Sequence, residues 1–176
     1  MNRFAVLGIV LACMIAAGLS VGMNFSGMVA WSTTTVQDMS EIYSLPQLST
    51  DGYVKPNIEV GVFVVQLSHG CRGLILLMDG AQTDSIARGI SKARDFRPNT
   101  HDVFGDLLDT FGMELLMVKI DRFENGAYYA DMMIRQGNKL LQLDSRPSDA
   151  IAVAVRTGSS LYVKEGLFEE YGMDVC

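Results

Sequence analysis

Between Leu143 and Arg156 the chain reads LDSRPSDAIAVAVR, which places Asp144, Arg146, Ser148 and Asp149 close together, directly before an alanine-rich apolar run. Asp144 and Asp149 could hold a hard cation such as Mg2+ through oxygen ligands, and the cation could activate water for attack on a phosphodiester. Arg146 would then offset the charge that builds on the transition state. A plainer reading uses the same residues structurally: Asp144 caps a helix, Arg146 pairs with a carboxylate, and Ser148 and Asp149 satisfy backbone amides. His101-Asp102 is a second candidate, because histidine titrates near neutrality and can take or give a proton. Adjacent helical residues do not face each other, so these two are not expected to form a dyad. Their plainer roles are a packed or surface imidazole and a carboxylate that favours the helix dipole. Arg88, Lys92, Arg94 and Arg97 form the basic cluster, which could steer a phosphate backbone or be an ordinary solvated helix face.

These residues need elements to hold them. Pro147 has a fixed φ and no N–H, which suits the first turn of a helix, and Asp144 or Ser145 could cap the free amides around it. AIAVAV also alternates as a strand would; the proline and the cap residues favour a helix. Thr100 is the expected N-cap of a second helix, in which Val103, Leu107, Leu108 and Phe111 recur at helical spacing and Gly112 marks the end. Asp84 to Arg94 predicts an amphipathic helix with Ile86 and Ile90 on its apolar face. Met113 to Phe123, Tyr128 to Gln136 and Lys139 to Leu143 predict an antiparallel meander, with Asn125-Gly126 as a type I′ hairpin tip. Ile58 to Leu67 and Gly73 to Met78 predict two further strands, Leu161 to Val163 a short edge strand, and Leu167 to Tyr171 a last helix. The expected class is α+β: an antiparallel or mixed sheet with a three-stranded meander, packed by three to four helices.

LDSRPSDAIAVAVRTG, together with Arg97-Pro98-Asn99-Thr100-His101-Asp102, resembles the two signature blocks of the bifunctional nuclease domain family, small α+β domains associated with DNase and RNase activity. The resemblance runs from about Ile58 to Asp174; its specific parts are the Arg-Pro-Ser-Asp-Ala block and the Thr-His-Asp triplet. The stretch before Leu74 is shorter than the opening strands expected of the family. What the resemblance implies is a nuclease that hydrolyses phosphodiester bonds in DNA or RNA with help from a divalent metal. Its catalytic candidates are His101, Asp102, Asp144, Arg146, Ser148 and Asp149, its metal ligands Asp144 and Asp149, and its nucleic-acid contacts Arg88, Lys92, Arg94 and Arg97. The family name identifies no nucleophile, so these roles rest on residue chemistry. The rival reading is a non-catalytic binding or assembly domain that uses the same residues for packing, with a homo-oligomer among its partners.

At 176 residues and 49% hydrophobic content the chain can build one well-buried domain plus an appendage. A net charge of −6 argues against coating nucleic acid through bulk electrostatics, so any contact must use a local patch. P-loop, G-x-S-x-G, H-E-x-x-H and G-x-G-x-x-G signatures are absent. Cys13, Cys71 and Cys176 form no C-x-x-C pair. A Cys71–Cys176 disulfide requires an oxidising compartment, and the odd count favours unpaired thiols. Phe4 to Gln37 carries no charge, and residues 4–23 are long enough for one membrane crossing. Residues 1–31 therefore read as a retained anchor or a cleaved signal, the anchor being favoured, and the single Arg before the run with acidic residues after it suggests a domain outside. Residues 32–56, polar and without periodicity, read as a linker, and 57–176 as the folded domain.

Overall fold

The computed structural model describes residues 31–36 and 38–176. The expected anchor at residues 4–23 lies outside the described residues, among which no helix is long and apolar enough to cross a membrane. The fold is α+β, as the sequence predicts. Strands β1 (Trp31–Thr35), β2 (Tyr53–Val54), β6 (Glu114–Glu124), β7 (Ala127–Gln136), β8 (Lys139–Ser145) and β9 (Ser160–Lys164) form one sheet in the order β1-β8-β7-β6-β9-β2. Strands β3 (Asn57–Val60), β4 (Val64–His69), β5 (Arg72–Leu77) and β10 (Met173–Asp174) form a second, in the order β10-β5-β4-β3. Four α-helices complete the described elements: α1 (Gly80–Ser91), α2 (Thr100–Thr110), α3 (Pro147–Thr157) and α4 (Glu165–Tyr171).

The β6–β7–β8 meander is the predicted one, and its first turn puts Asn125 and Gly126 at φ 52° and 79°, the left-handed backbone that a type I′ tip requires. Strand β9 is not an edge. It runs parallel to β6 and carries β2 on its other side, because the α3 crossover returns the chain in the same direction.

Helix α3 begins at Pro147, and Ala150, Ile151, Ala152, Val153 and Ala154 are all buried. The helix is therefore surrounded, which explains why its sequence shows no polar face in the middle. Neither Asp144 nor Ser145 caps it: Arg146 holds the N-cap position without a side-chain bond, and Ser145 Oγ donates to the Ala130 carbonyl. Gly89 of α1 lets that helix approach closely, since a Cβ there would lie 2.5 Å from Val155 Cγ2.

Several expectations are corrected. The cap of α2 is Asn99, whose side chain accepts from the His101 and Asp102 amides while Asp102 accepts from the Asn99 amide; Thr100 is the first helical residue. The apolar row Val103, Leu107 and Phe111 faces outward, and Leu108 and the buried Asp102 face inward. Ile90 is likewise exposed, leaving Ile86 as the anchor of α1. The stretch read as a linker is folded: β1 pairs with β8 in full register, and Ile42 and Leu48 are buried against Met133 and Leu140. Short 3-10 turns at Met39–Ser44 and Pro46–Leu48 bring those apolar residues onto the sheet, a pattern with neither a 3.6 nor a 2.0 period. Cys71 and Cys176 are joined by a disulfide, with Cys13 the residue that makes the count odd.

Candidate functional site

Asp149 sits in the first turn of α3, and both of its oxygens are engaged. Arg146 donates through Nε to Oδ2 at 2.7 Å and through Nη2 to Oδ1 at 3.0 Å, and His101 Nε2 lies 3.2 Å from Oδ1. Burial alone would raise the Asp149 carboxyl, but hydrogen bonds from Arg146 and His101, with the Arg146 charge, hold it below the ordinary aspartate value. The pair is reachable from solvent: the Arg146 side chain is 70% exposed and that of Asp149 29%.

Behind this pair the polar contacts continue inward. His101 Nδ1 lies 2.9 Å from Ser85 Oγ on α1. That oxygen accepts from Asn99 Nδ2 at 3.2 Å and from Arg156 Nη2 at 3.1 Å. A hydroxyl has two lone pairs and one proton, so with both lone pairs used the proton is left for His101 Nδ1. The imidazole is thereby assigned as the Nε2–H tautomer, and it donates to Asp149. Arg156 also donates through Nε to Asp102 Oδ1 at 2.7 Å and through Nη1 to the carbonyls of Ser85 and Ala152. Burial pushes the Asp102 carboxyl up, and hydrogen bonds from Arg156 and the Asn99 amide, with the charges of Arg156 and Arg94, bring it below its ordinary value.

The spacing explains the arrangement. Asp149 and Arg156 are two helical turns apart and share a face of α3, while His101 and Asp102 diverge by about 100° on α2. The neighbours on α2 thus cannot pair with each other, as expected, yet each meets its own partner on α3. Ser148 is buried and accepts from Gln82 Nε2 at 3.0 Å, which ties α3 to the start of α1.

Asp144 lies elsewhere. Leu141 and Leu143 of β8 pack into the core that contains α3, whereas Leu140 packs with Ile42 and Leu48 on the opposite face. The strand alternates by twos, so Asp144 shares the face of Leu140, away from Asp149. It stands opposite Asp131 in register and 4.0 Å from Arg122 Nη2. The expected Asp144–Asp149 ligand pair is not assembled, and among the described residues no group of three or more His, Cys, Asp or Glu side chains is placed to hold a metal. Of the two expected Mg2+ ligands, Asp149 alone stands at this site.

The basic cluster is largely spoken for. Arg88 is paired with Asp84 and Asp95, Arg94 with Asp106, and Lys92 Nζ donates to the last carbonyls of α3 at Val155 and Arg156. Arg97 is exposed. Arg88, Lys92 and Arg94 line a cleft of about 340 Å3 whose other walls include Asp102, Asp106 and Arg156, so it has cations and carboxylates in similar number. Ser85, Asn99 and Arg156 were not singled out from the sequence. An Asn-x-x-Asp capping box announces Asn99, and the seven-residue spacing from Asp149 announces Arg156; nothing in the sequence marks Ser85.

Comparison with known proteins gives a concordant picture. The family model described as "Bifunctional nuclease domain" matches residues 64–175. An uncharacterized protein of Mycobacterium tuberculosis is 30% identical over 112 residues, 64% of this chain and 66% of that protein. Bifunctional nuclease 2 of Arabidopsis thaliana is 34% identical over 82 residues, 45% of this chain and 25% of the plant protein, and Bifunctional nuclease 1 of the same plant is 33% identical over the same length. The chain thus spans somewhat under two thirds of the mycobacterial relative and a quarter of the plant ones.

Proposed function

The chain belongs to the bifunctional nuclease domain family, and from that premise we propose that it hydrolyses phosphodiester bonds in DNA or RNA at the Arg146–Asp149–His101 site. The observation that carries this reading is the bidentate, solvent-reachable Arg146–Asp149 pair, backed by a histidine whose tautomer is fixed from behind. A guanidinium prefers a phosphate as readily as a carboxylate. When a substrate phosphate draws Arg146 away, Asp149 loses the hydrogen bonds that chiefly hold its carboxyl down and becomes a stronger base. It can then accept a proton from the water that attacks phosphorus, while His101 Nε2–H keeps the carboxylate aimed. Arg146 stabilises the charge on the pentacovalent phosphorus, and the departing oxygen takes its proton from solvent. No step is routed through a metal, since Asp144 and Asp149 face opposite sides of the sheet.

The test is cleavage of a labelled oligonucleotide by the full chain, with and without chelator. Asp149→Asn and Arg146→Ala should each lower kcat by about a hundredfold or more. Equal cleavage by the wild type and Asp149→Asn would identify a contaminating nuclease and sink the reading.

A second reading, a binding or assembly domain, is favoured by the exposed row Val103, Leu107 and Phe111 on α2, and would make that face a contact between copies. The Cys71–Cys176 disulfide supports an oxidising compartment, in keeping with an exported domain held at a membrane by residues 4–23.

A further inference from the structure

A second cleft, of about 440 Å3, is lined by Arg146 of the Arg146–Asp149 pair. It is bounded by the end of β5 at Leu77 and the following Met78, by Phe123 and Tyr128 beside the tip of the β6–β7 hairpin, and by Arg146 and Ser148 at the start of α3. The size is in the range of small-ligand sites, about 300–1,000 Å3. Its wall is braced by three rings: Phe123 lies 4.6 Å from Tyr128 and 4.8 Å from Tyr171, centroid to centroid. Leu77 is 85% exposed at the rim, a cost in water that a covering ligand would remove. Arg146 is the one cation that lines it, and its Nη1 makes no hydrogen bond among the described residues.

We propose that this cleft takes one unstacked base of a single-stranded nucleic acid, with the adjoining phosphate on Arg146, so that the substrate class is single-stranded. The proposal rests on the phosphodiester reading above and narrows it. Flat aromatic and aliphatic walls suit the face of a base, and Arg146 at the edge supplies the charge that the attached phosphate needs. In a duplex both faces of each base are covered by neighbours, so a paired base cannot enter without being extruded. The polar side chains of the lining are held to the fold: Ser148 Oγ accepts from Gln82 Nε2, and Gln82 Oε1 accepts the Asp79 amide. Most of the lining is apolar or aromatic, and stacking on such walls tolerates any base, so the cleft binds bases with little regard to identity.

The experiment is fluorescence anisotropy of the full chain with a phosphorothioate-linked single strand, the same sequence as a duplex, and a single strand with one central abasic position. The single strand should bind about tenfold more tightly than either competitor. Tyr128→Ala should lose about the same factor for the intact strand and nothing further for the abasic one, and Tyr128→Phe should restore binding. Leu77→Asp, at an exposed rim position that the fold does not need, serves as a second variant and should weaken the intact strand selectively. Indifference to the abasic position, or a duplex bound as tightly as the single strand, with Arg146→Ala still weakening all of them, overturns the cleft proposal and leaves the phosphodiester reading standing. Absence of binding to any of the three nucleic acids sinks both.

Discussion

Replacing Arg156 with methionine keeps most of the side-chain volume and removes the guanidinium that links Asp102, Ser85 and the α3 backbone. The pair it breaks is sequestered, with the Arg156 side chain 10% exposed and that of Asp102 6%. Removing one member of a buried pair costs about 3–5 kcal/mol, because the other charge is left without its partner. Both residues also line the cleft of about 340 Å3, which admits water, so the lower end, about 3 kcal/mol, is expected. Urea unfolding at neutral pH measures it. The pH dependence separates the charge from mere packing. In the wild type the Asp102 carboxyl is held below its ordinary value of 3.8, so its contribution is present above that pH and is lost as pH falls through the lowered value. In the variant burial acts unopposed by Arg156 and raises the carboxyl, so the folded state gains relative to the unfolded as pH falls. The gap between wild type and variant should therefore narrow from pH 7 toward about pH 4. A loss under about 1 kcal/mol, or one that is independent of pH, would refute the claim that this ion pair anchors the site.

Two further outcomes follow from the fold. Replacing Cys71 and Cys176 together by serine opens a link between residues 105 apart and should lower stability by about 2–4 kcal/mol, read as a fall in urea midpoint that added reductant reproduces in the wild type. A chain beginning at Met28 keeps β1 and should leave the membrane fraction as a folded domain, whereas one beginning at Asp51 loses β1, Ile42 and Leu48 and should expose Met133 and Leu140 and aggregate; solubility of the shorter chain would show that residues 31–50 are dispensable.

How much of this was legible depends on the range of the interactions. Pro147, Asn125-Gly126 and the alternating runs on either side act locally, and each produced the element it predicts. The orientation of α2 was not legible, because its buried face is decided by Arg156, a residue fifty-four positions away that draws Asp102 inward. Two candidate core faces lay on that helix, and the more apolar one lost to a hydrogen-bonded carboxylate. Residues 32–56 failed for the opposite reason: Ile42 and Leu48 are anchors in 3-10 turns, where few residues repeat and no period can accumulate. Of the candidate site, Asp149, Arg146 and His101 stand out by type and proximity to helix starts, and the fold brings their side chains together. Asp144 misled because closeness in sequence says nothing about which face of a strand a side chain takes.

The division of labour within the polar network follows from burial. Asp102 and Arg156 are shielded, fully bonded and tied to the backbone carbonyls of two helices, so moving either one disturbs α1, α2 and α3 together. They are suited to fixing position and poorly suited to exchanging partners. Among the described residues Arg146 is held by Asp149 alone and is mostly exposed, so it can exchange partners at little cost, as the proposed phosphate contact needs. Ser85 and His101 connect the two regimes. Gly89 lets α1 lie close enough to α3 for Arg156 to reach Ser85, whose proton then orients the imidazole toward Asp149. A rigid interior thereby holds one carboxylate in place while the partner that masks it stays free to go, which is the arrangement that the proposed base chemistry requires.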